Sequence, residues 1–201
     1  MKNMKKMILG SNSPRRKELL AGLDIPYEVK VIPGIDESYP DTLDAYDTAE
    51  YIARKKSAAY HGMLEDDVVV LTADTVVIAP TADEQNDKDG KGIILGKPKD
   101  AAEAHSMLRM LSGKTHHVVT GVCLLTNKGE RSFSVVTEVT FKILADEEID
   151  YYVEHYRPFD KAGAYGIQEW IGYVGCTGLK GSYFNVMGLP VQRIYEELQK
   201  M

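Results

Sequence analysis

The sequence is poor in cysteine. Its two, Cys123 and Cys176, are far apart and lack the paired spacing of a zinc site. Reduced thiols in a cytosolic protein are the simplest expectation. No run of 18 apolar residues occurs, so no membrane span is expected. The basic start, Met1 to Lys6, is followed only by Met7-Ile8-Leu9 before Gly10, too short for the apolar part of a signal peptide. There is no surplus of positive charge. The net charge is −6, and no stretch interleaves aromatic and basic residues, which speaks against nucleic acid as a partner. No G-x-x-x-x-G-K-[ST] and no H-E-x-x-H segment is present. His116 and His117 are adjacent and face opposite ways on a strand, so they do not form a metal pair.

What is present is ordinary for a globular protein: 201 residues, 44% hydrophobic and 27% charged. That length suits one domain, expected over residues 1–201. The strongest local signal is Ser11-Asn12-Ser13-Pro14-Arg15-Arg16, between the apolar Met7-Ile8-Leu9 and a helix-like Lys17 to Leu23. Ser13 suits an N-cap and Pro14 the first helical position. Arg15 and Arg16 then stand at the end of a helix whose dipole is already positive. Two readings fit: an anion grip, in which guanidinium forks meet phosphate oxygens, or a solvated basic turn.

Further along, Tyr27 to Ile32 alternates as a strand. A helix is expected from Asp47, with Glu50 completing a capping box and Ala49, Ile52, Ala53, Ala59 and Met63 facing inward. Lys56 falls on that apolar stripe, as a snorkelling stem or as a group aimed into a site. Residues 67–79 form the most apolar stretch and read as a strand buried on both faces. Asp74 sits in its middle. A buried carboxylate must be paired, bound to metal or open to a cleft, unless a turn at Ala73-Asp74 exposes it. Residues 81–92 are polar and loop-like.

Asp100 and Glu103 open a helix over 101–111 that Gly113 ends. Strands 118–126 and 131–144 form a hairpin around Asn127-Lys128-Gly129, with Phe133, Val135, Thr137, Val139, Phe141 and Ile143 on one face. A helix over 146–156 faces Ile149, Tyr152 and Val153 inward. The stretch Asp160 to Gln168 carries two glycines and Lys161, as a ligand loop or a plain turn. A last helix from near Pro190 turns Val191, Ile194, Tyr195 and Leu198 inward. The order implies α/β with a mixed sheet and flanking helices.

Arg15, Arg16, Lys56, Lys97 and Lys161 supply cations, and Asp36, Glu37 and Asp74 supply carboxylates. Several cations with a few carboxylates is what a polyphosphate site with a hard cation such as Mg²⁺ needs. Five segments together resemble the Maf family of nucleoside triphosphate pyrophosphatases. They are Ser11 to Arg16, Ala73 to Val76, Gly96-Lys97-Pro98, Asp160 to Gln168, and Gly181-Ser182-Tyr183 with Gly188-Leu189-Pro190.

The resemblance implies an ITPase-like α/β fold with a twisted mixed sheet and two lobes around a central cleft. It implies cleavage between the α and β phosphates of dTTP and UTP, extending to modified pyrimidine triphosphates. It implies a divalent metal, Mg²⁺ or Mn²⁺, and a homodimer in the cytoplasm. In that pattern Asp74 accepts the proton of the attacking water and, with Glu37, holds the metal. Arg15, Thr75 and Gln168 match positions linked to base choice, and the Gln168 amide offers both a donor and an acceptor to a pyrimidine edge. Ser13, Arg16, Lys56, Lys97 and Lys161 match the phosphate site. The departure is residues 81–94, longer and more acidic than the family's usual stretch. The competing expectation is a nucleotide-binding regulator of septum formation that does not turn over.

Overall fold

The computed structural model describes residues 6–81 and 92–201. Seven strands form one mixed sheet in the order β2-β1-β3-β5-β6-β7, with β4 also paired to β3. The strands are β1 (Lys6–Leu9), β2 (Tyr27–Val29), β3 (Val68–Ala79), β4 (Ile93–Leu95), β5 (Thr115–Thr126), β6 (Gly129–Phe141) and β7 (Cys176–Lys180). The β1–β2 and β1–β3 pairs are parallel, and the others are antiparallel. The helices are α1 (Pro14–Ala21), α2 (Ala45–Ala58), α3 (Ala101–Leu111), α4 (Asp146–Tyr156), α5 (Trp170–Gly175), α6 (Tyr183–Met187) and α7 (Val191–Gln199). Among the described residues no helix is long and apolar enough to cross a membrane.

One feature of β3 positions everything else. Along one edge, β1 pairs with Val68–Leu71 and β4 pairs with Val77–Ala79. Between them, residues 72–76 have no strand neighbour on that side among the described residues. Asp74 and Thr75 lie in this gap. The core divides at the same place. One apolar cluster joins β1, the first half of β3, α1 and α7, through Met7, Leu9, Leu20, Leu71 and Ile194. Another joins the second half of β3 to α3 and α4, through Val77, Leu108, Leu111, Ile149 and Tyr152.

Helix α2 lies across the sheet over the same point. Gly121 is the β5 partner of Asp74. A Cβ on Gly121 would stand 2.2 Å from the α2 backbone at Ala49 and Glu50, so only glycine lets the helix approach this closely.

Several boundaries differ from the sequence reading. Helix α2 starts at Ala45, because Asp44 is the N-cap and its carboxylate accepts from Tyr46 N at 2.8 Å. Asp47 instead sits in the first turn, where the dipole favours an acid. The helix ends at Ala58, so Ala59 and Met63 fall outside its buried stripe. The second strand stops at Val29. Ile143 is 83% exposed, because the β6 pairing shifts at Thr140/Phe141 and the strand ends there, breaking the alternation. On α7, Tyr195 is exposed and Glu197 turns inward, held by Arg131, Arg193 and Lys200. These contacts pull the Glu197 carboxyl down to about 2, the Lys200 and Arg131 hydrogen bonds contributing most. Short elements β4, β7, α5 and α6 carry too few residues for a periodic signal and were not anticipated. Of the acidic stretch 81–94, residues 82–91 lie outside the described residues.

Candidate active site

A cleft of about 460 Å³ opens where β3 lacks a neighbour. The Ser11–Arg16 turn and residues 31–37 form one side, and residues 160–166 and 186–188 the other. The turn folds as the sequence predicts. Ser13 caps α1, its hydroxyl accepting from Arg16 N at 3.4 Å, and Pro14 takes the first helical position.

Arg16 reaches across the gap in β3. Its Nη1 donates to Ala73 O at 2.7 Å, its Nη2 to Thr75 Oγ1 at 3.0 Å and its Nε to Gly188 O at 2.8 Å. Three of the five guanidinium N–H groups are therefore committed to the protein. Burial pushes the Arg16 pKa below its ordinary value, and the Asp74 charge opposes that. Arg15, its neighbour, makes one ion pair, Nη1 to Asp160 Oδ2 at 2.9 Å.

Asp74 is met by Lys56, which comes down from the last turn of α2. Lys56 Nζ lies 2.7 Å from Asp74 Oδ1 and 3.1 Å from Glu37 Oε1. The Lys56 and Asp74 side chains are mostly buried, whereas that of Glu37 is half exposed. Of the two readings of Lys56, the structure favours the group aimed into a site. The neighbouring acid, Asp36, is absent from the cleft wall. Lys55 at 2.7 Å and Ser38 occupy it and hold its carboxyl well below the usual range.

On the far side Lys161 is almost fully buried, between Asp160 Oδ1 at 2.8 Å and Glu169 Oε1 at 3.0 Å. Burial pushes the Asp160 carboxyl up, but hydrogen bonds from Lys161 and Arg15 outweigh it and hold it below its ordinary value. The other Glu169 oxygen accepts from Tyr152 OH, which itself accepts from Gly166 N at 3.0 Å. Burial and the Glu169 bond raise the Tyr152 phenol, so it stays a donor. Lys97 is exposed, lines the cleft and makes no ion pair among the described residues.

The structure thus brings Ser13, Arg15, Arg16, Glu37, Lys56, Asp74, Thr75, Lys97 and Lys161 to one cleft. It does not bring Gln168 to the cleft wall. That side chain lies beside Gly166, its Nε2 2.9 Å from where a Cβ there would stand, with Oε1 buried and without a hydrogen-bond partner among the described residues. Sequence reasoning missed Asp160 as the partner of Arg15, and Glu169 and Thr120 altogether. Asp160 was legible as an acid next to Lys161. Thr120 gave no signal, being one more small residue in a strand.

A divalent cation was tested against this donor set. Among the described residues no three His, Cys, Asp or Glu side chains converge as a protein cage needs. Asp74 and Glu37 do converge on one point, now held by the Lys56 ammonium. One or two carboxylates plus substrate phosphates and waters is the usual Mg²⁺ arrangement, and the residues fit it.

Residues 6–201 match the family model described as Maf-like protein. A protein named dTTP/UTP pyrophosphatase from Phocaeicola vulgatus is 58% identical over 196 residues, covering 98% of this chain and 96% of that protein. One of the same name from Porphyromonas gingivalis is 55% identical over 96% of this chain and 93% of that one. A third, from Flavobacterium johnsoniae, is 44% identical over 96% and 93%. Among solved structures, a nucleoside-triphosphatase (dITP/XTP pyrophosphatase) from Mycobacterium abscessus is 18% identical, with a TM-score of 0.44 over 96% of this chain and 94% of that one. With a family match from residue 6 to the last residue and such relatives along nearly its whole length, the chain belongs to the Maf family.

Proposed function

We propose that this chain is a pyrophosphatase that hydrolyses dTTP and UTP to the nucleoside monophosphate and pyrophosphate, with a divalent metal. The observation that carries the reading is Asp74, set in the unpaired stretch of β3 with Lys56 and Glu37 gathered on it inside a cationic cleft. The relatives named dTTP/UTP pyrophosphatase supply the substrate class.

Asp74 accepts the proton of the attacking water as the new P–O bond forms. The bridging oxygen leaves with pyrophosphate. Lys97 and Lys161 meet the negative charge of the triphosphate, Lys161 by giving up Asp160 or Glu169. Arg16 keeps Thr75 and the Ala73 carbonyl in place, so its main work is to hold the floor of the cleft. Asp74 and Glu37 would hold the metal, which when bound would supply charge neutralisation at the phosphates. Without the metal, Lys56 pairs with both carboxylates and keeps them together. Arg15 and Thr75 contact the nucleoside from the cleft wall, and Gln168 stands beside Gly166 off that wall.

The test is pyrophosphate release from a panel of nucleoside triphosphates with Mg²⁺ or Mn²⁺, beside an EDTA control. Release from dTTP and UTP that EDTA abolishes is the expected result. No release from any triphosphate by folded protein overturns the reading in favour of nucleotide binding without turnover.

A further inference from the structure

Thr75 and Thr120 stand directly opposite each other on β3 and β5, their hydroxyl oxygens 3.0 Å apart. Thr120 is fully buried, and its Oγ1 lies 3.1 Å from the Asn185 carbonyl oxygen. A carbonyl only accepts, so the single hydroxyl proton of Thr120 goes to Asn185. The second lone pair of that carbonyl is met by Gly188 N at 3.0 Å. Thr120 can then meet Thr75 only as an acceptor. The single proton of Thr75 is therefore spent on Thr120. Arg16 Nη2 donates to Thr75 at 3.0 Å and takes one of its two lone pairs. What Thr75 has left for the cleft is one lone pair and no proton.

We propose that Thr120 is a positioning residue that makes Thr75 an acceptor-only contact, and that this contact reads the N3–H of uracil or thymine. The proposal rests on the cleft being a nucleoside triphosphate site. The polarity separates the parts of the substrate that Thr75 could meet. Phosphate oxygens only accept, so a fixed lone pair repels them. Sugar hydroxyls donate or accept equally well, so a fixed lone pair selects nothing there. The pyrimidine N3 is where polarity decides: uracil and thymine carry a proton and cytosine carries a lone pair. A site whose buried polar group is left facing a like group rejects that ligand strongly.

The experiment compares UTP with CTP in two ways: kcat/KM from pyrophosphate release, and equilibrium binding in EDTA without turnover. The wild type is expected to favour UTP by about tenfold or more in both. Thr120→Val keeps the shape but frees the Thr75 proton, which can then turn to cytosine N3. The preference should shrink about tenfold. Thr120→Ser keeps the hydroxyl and should keep the preference. Thr120→Ala is a second removal of the hydroxyl, with less bulk to place, and each variant is checked by thermal melting. In a Thr75→Val background, adding Thr120→Val should change the ratio no further.

The proposal is overturned if Thr120→Val and Thr120→Ala keep the full preference, or if Thr120→Ser loses it as they do. It is also overturned if the wild type binds UTP and CTP alike, and weak binding of 3′-deoxy-UTP in that case assigns Thr75 to the sugar. Binding that favours UTP with no pyrophosphate release contradicts the hydrolytic reading alone and leaves the role of Thr120 supported.

Discussion

Arg15 and Arg16 are adjacent in sequence and opposite in behaviour. Arg16 is spent inside the protein, with three hydrogen bonds to Ala73, Thr75 and Gly188. Among the described residues Arg15 holds a single ion pair, to a carboxylate that is mostly exposed. The same contrast divides the whole cleft. One side is a fixed wall, running from Arg16 through Thr75 and Thr120 to Asn185, in which every polar step is a short hydrogen bond inside the fold. The other is a set of ion pairs, Arg15–Asp160, Lys161–Glu169 and Lys56–Glu37, and on the proposed function a nucleoside triphosphate displaces the acids of the first two. On that reading, charge that meets substrate is kept on temporary partners. Charge that is meant to shape the site is locked.

Asp74 stands where the two sides meet, and it is expected to show the largest effect. Asp74→Asn keeps the shape but cannot take the proton, so turnover should fall by about 10²- to 10⁴-fold while the melting temperature moves little. Steady-state kinetics beside thermal unfolding checks both halves. Near-wild-type turnover would remove Asp74 from its assigned role.

On the fixed side, Arg16→Lys loses the guanidinium fork and strands the Ala73 and Gly188 carbonyls. It should cost about 2–3 kcal/mol of stability. Arg15→Lys should cost less than about 0.5 kcal/mol and act mainly on KM, since an exposed ion pair contributes little. Denaturant unfolding of the pair measures the difference. Equal losses would dissolve the distinction between the two arginines.

One part of the fold's pH dependence lies in the buried interior, at His116. His116 is fully buried, with Nε2 against Tyr165 OH at 2.8 Å, and burial lowers its pKa to about 3. The unfolded chain binds a proton near pH 6.5 that the folded chain refuses. This contribution to stability is whole above pH 6.5 and is lost as the pH falls from there toward about 3, by about 1.4 kcal/mol per unit. Unfolding curves between pH 6.5 and about 5, above the range where Glu197 and the other paired carboxylates lose their contribution, should show the loss, and His116→Gln should flatten it there.

The smallest effect is on the exchangeable side. Glu169→Gln removes one of the two negative charges that Lys161 balances, so KM for the triphosphate should fall about two- to threefold, with a steeper salt dependence. A KM that rises instead would make Glu169 a positioner of Lys161 rather than a competitor for it.

The contrast also marks what the sequence could and could not disclose. Asp74 was legible because a carboxylate inside an apolar strand is costly unless it has work to do. The Ser13 cap and Pro14 were legible because their physics is local. Lys56 was visible only as an anomaly on a helix stripe, and its target could not be read, because the Asp74 contact depends on how α2 crosses the sheet. That crossing hangs on Gly121, which reads in sequence as a weak residue in a strand. Helix α2 was placed too late because Asp47 and Glu50 imitate a cap that Asp44 supplies. The break in the pairing of β3 was not readable at all, since β4 is three residues long and follows a polar stretch. Arg16 and Arg15 look alike in the chain, and only the tertiary fold tells which is locked.

The most direct test of the central claim is the identity of the phosphate products from UTP and dTTP, separated after quenching, with Mg²⁺ present. The account predicts nucleoside monophosphate and pyrophosphate from the wild type, and unchanged triphosphate with Asp74→Asn over the same time. Nucleoside diphosphate and orthophosphate would move the cleavage to the terminal phosphate and contradict it.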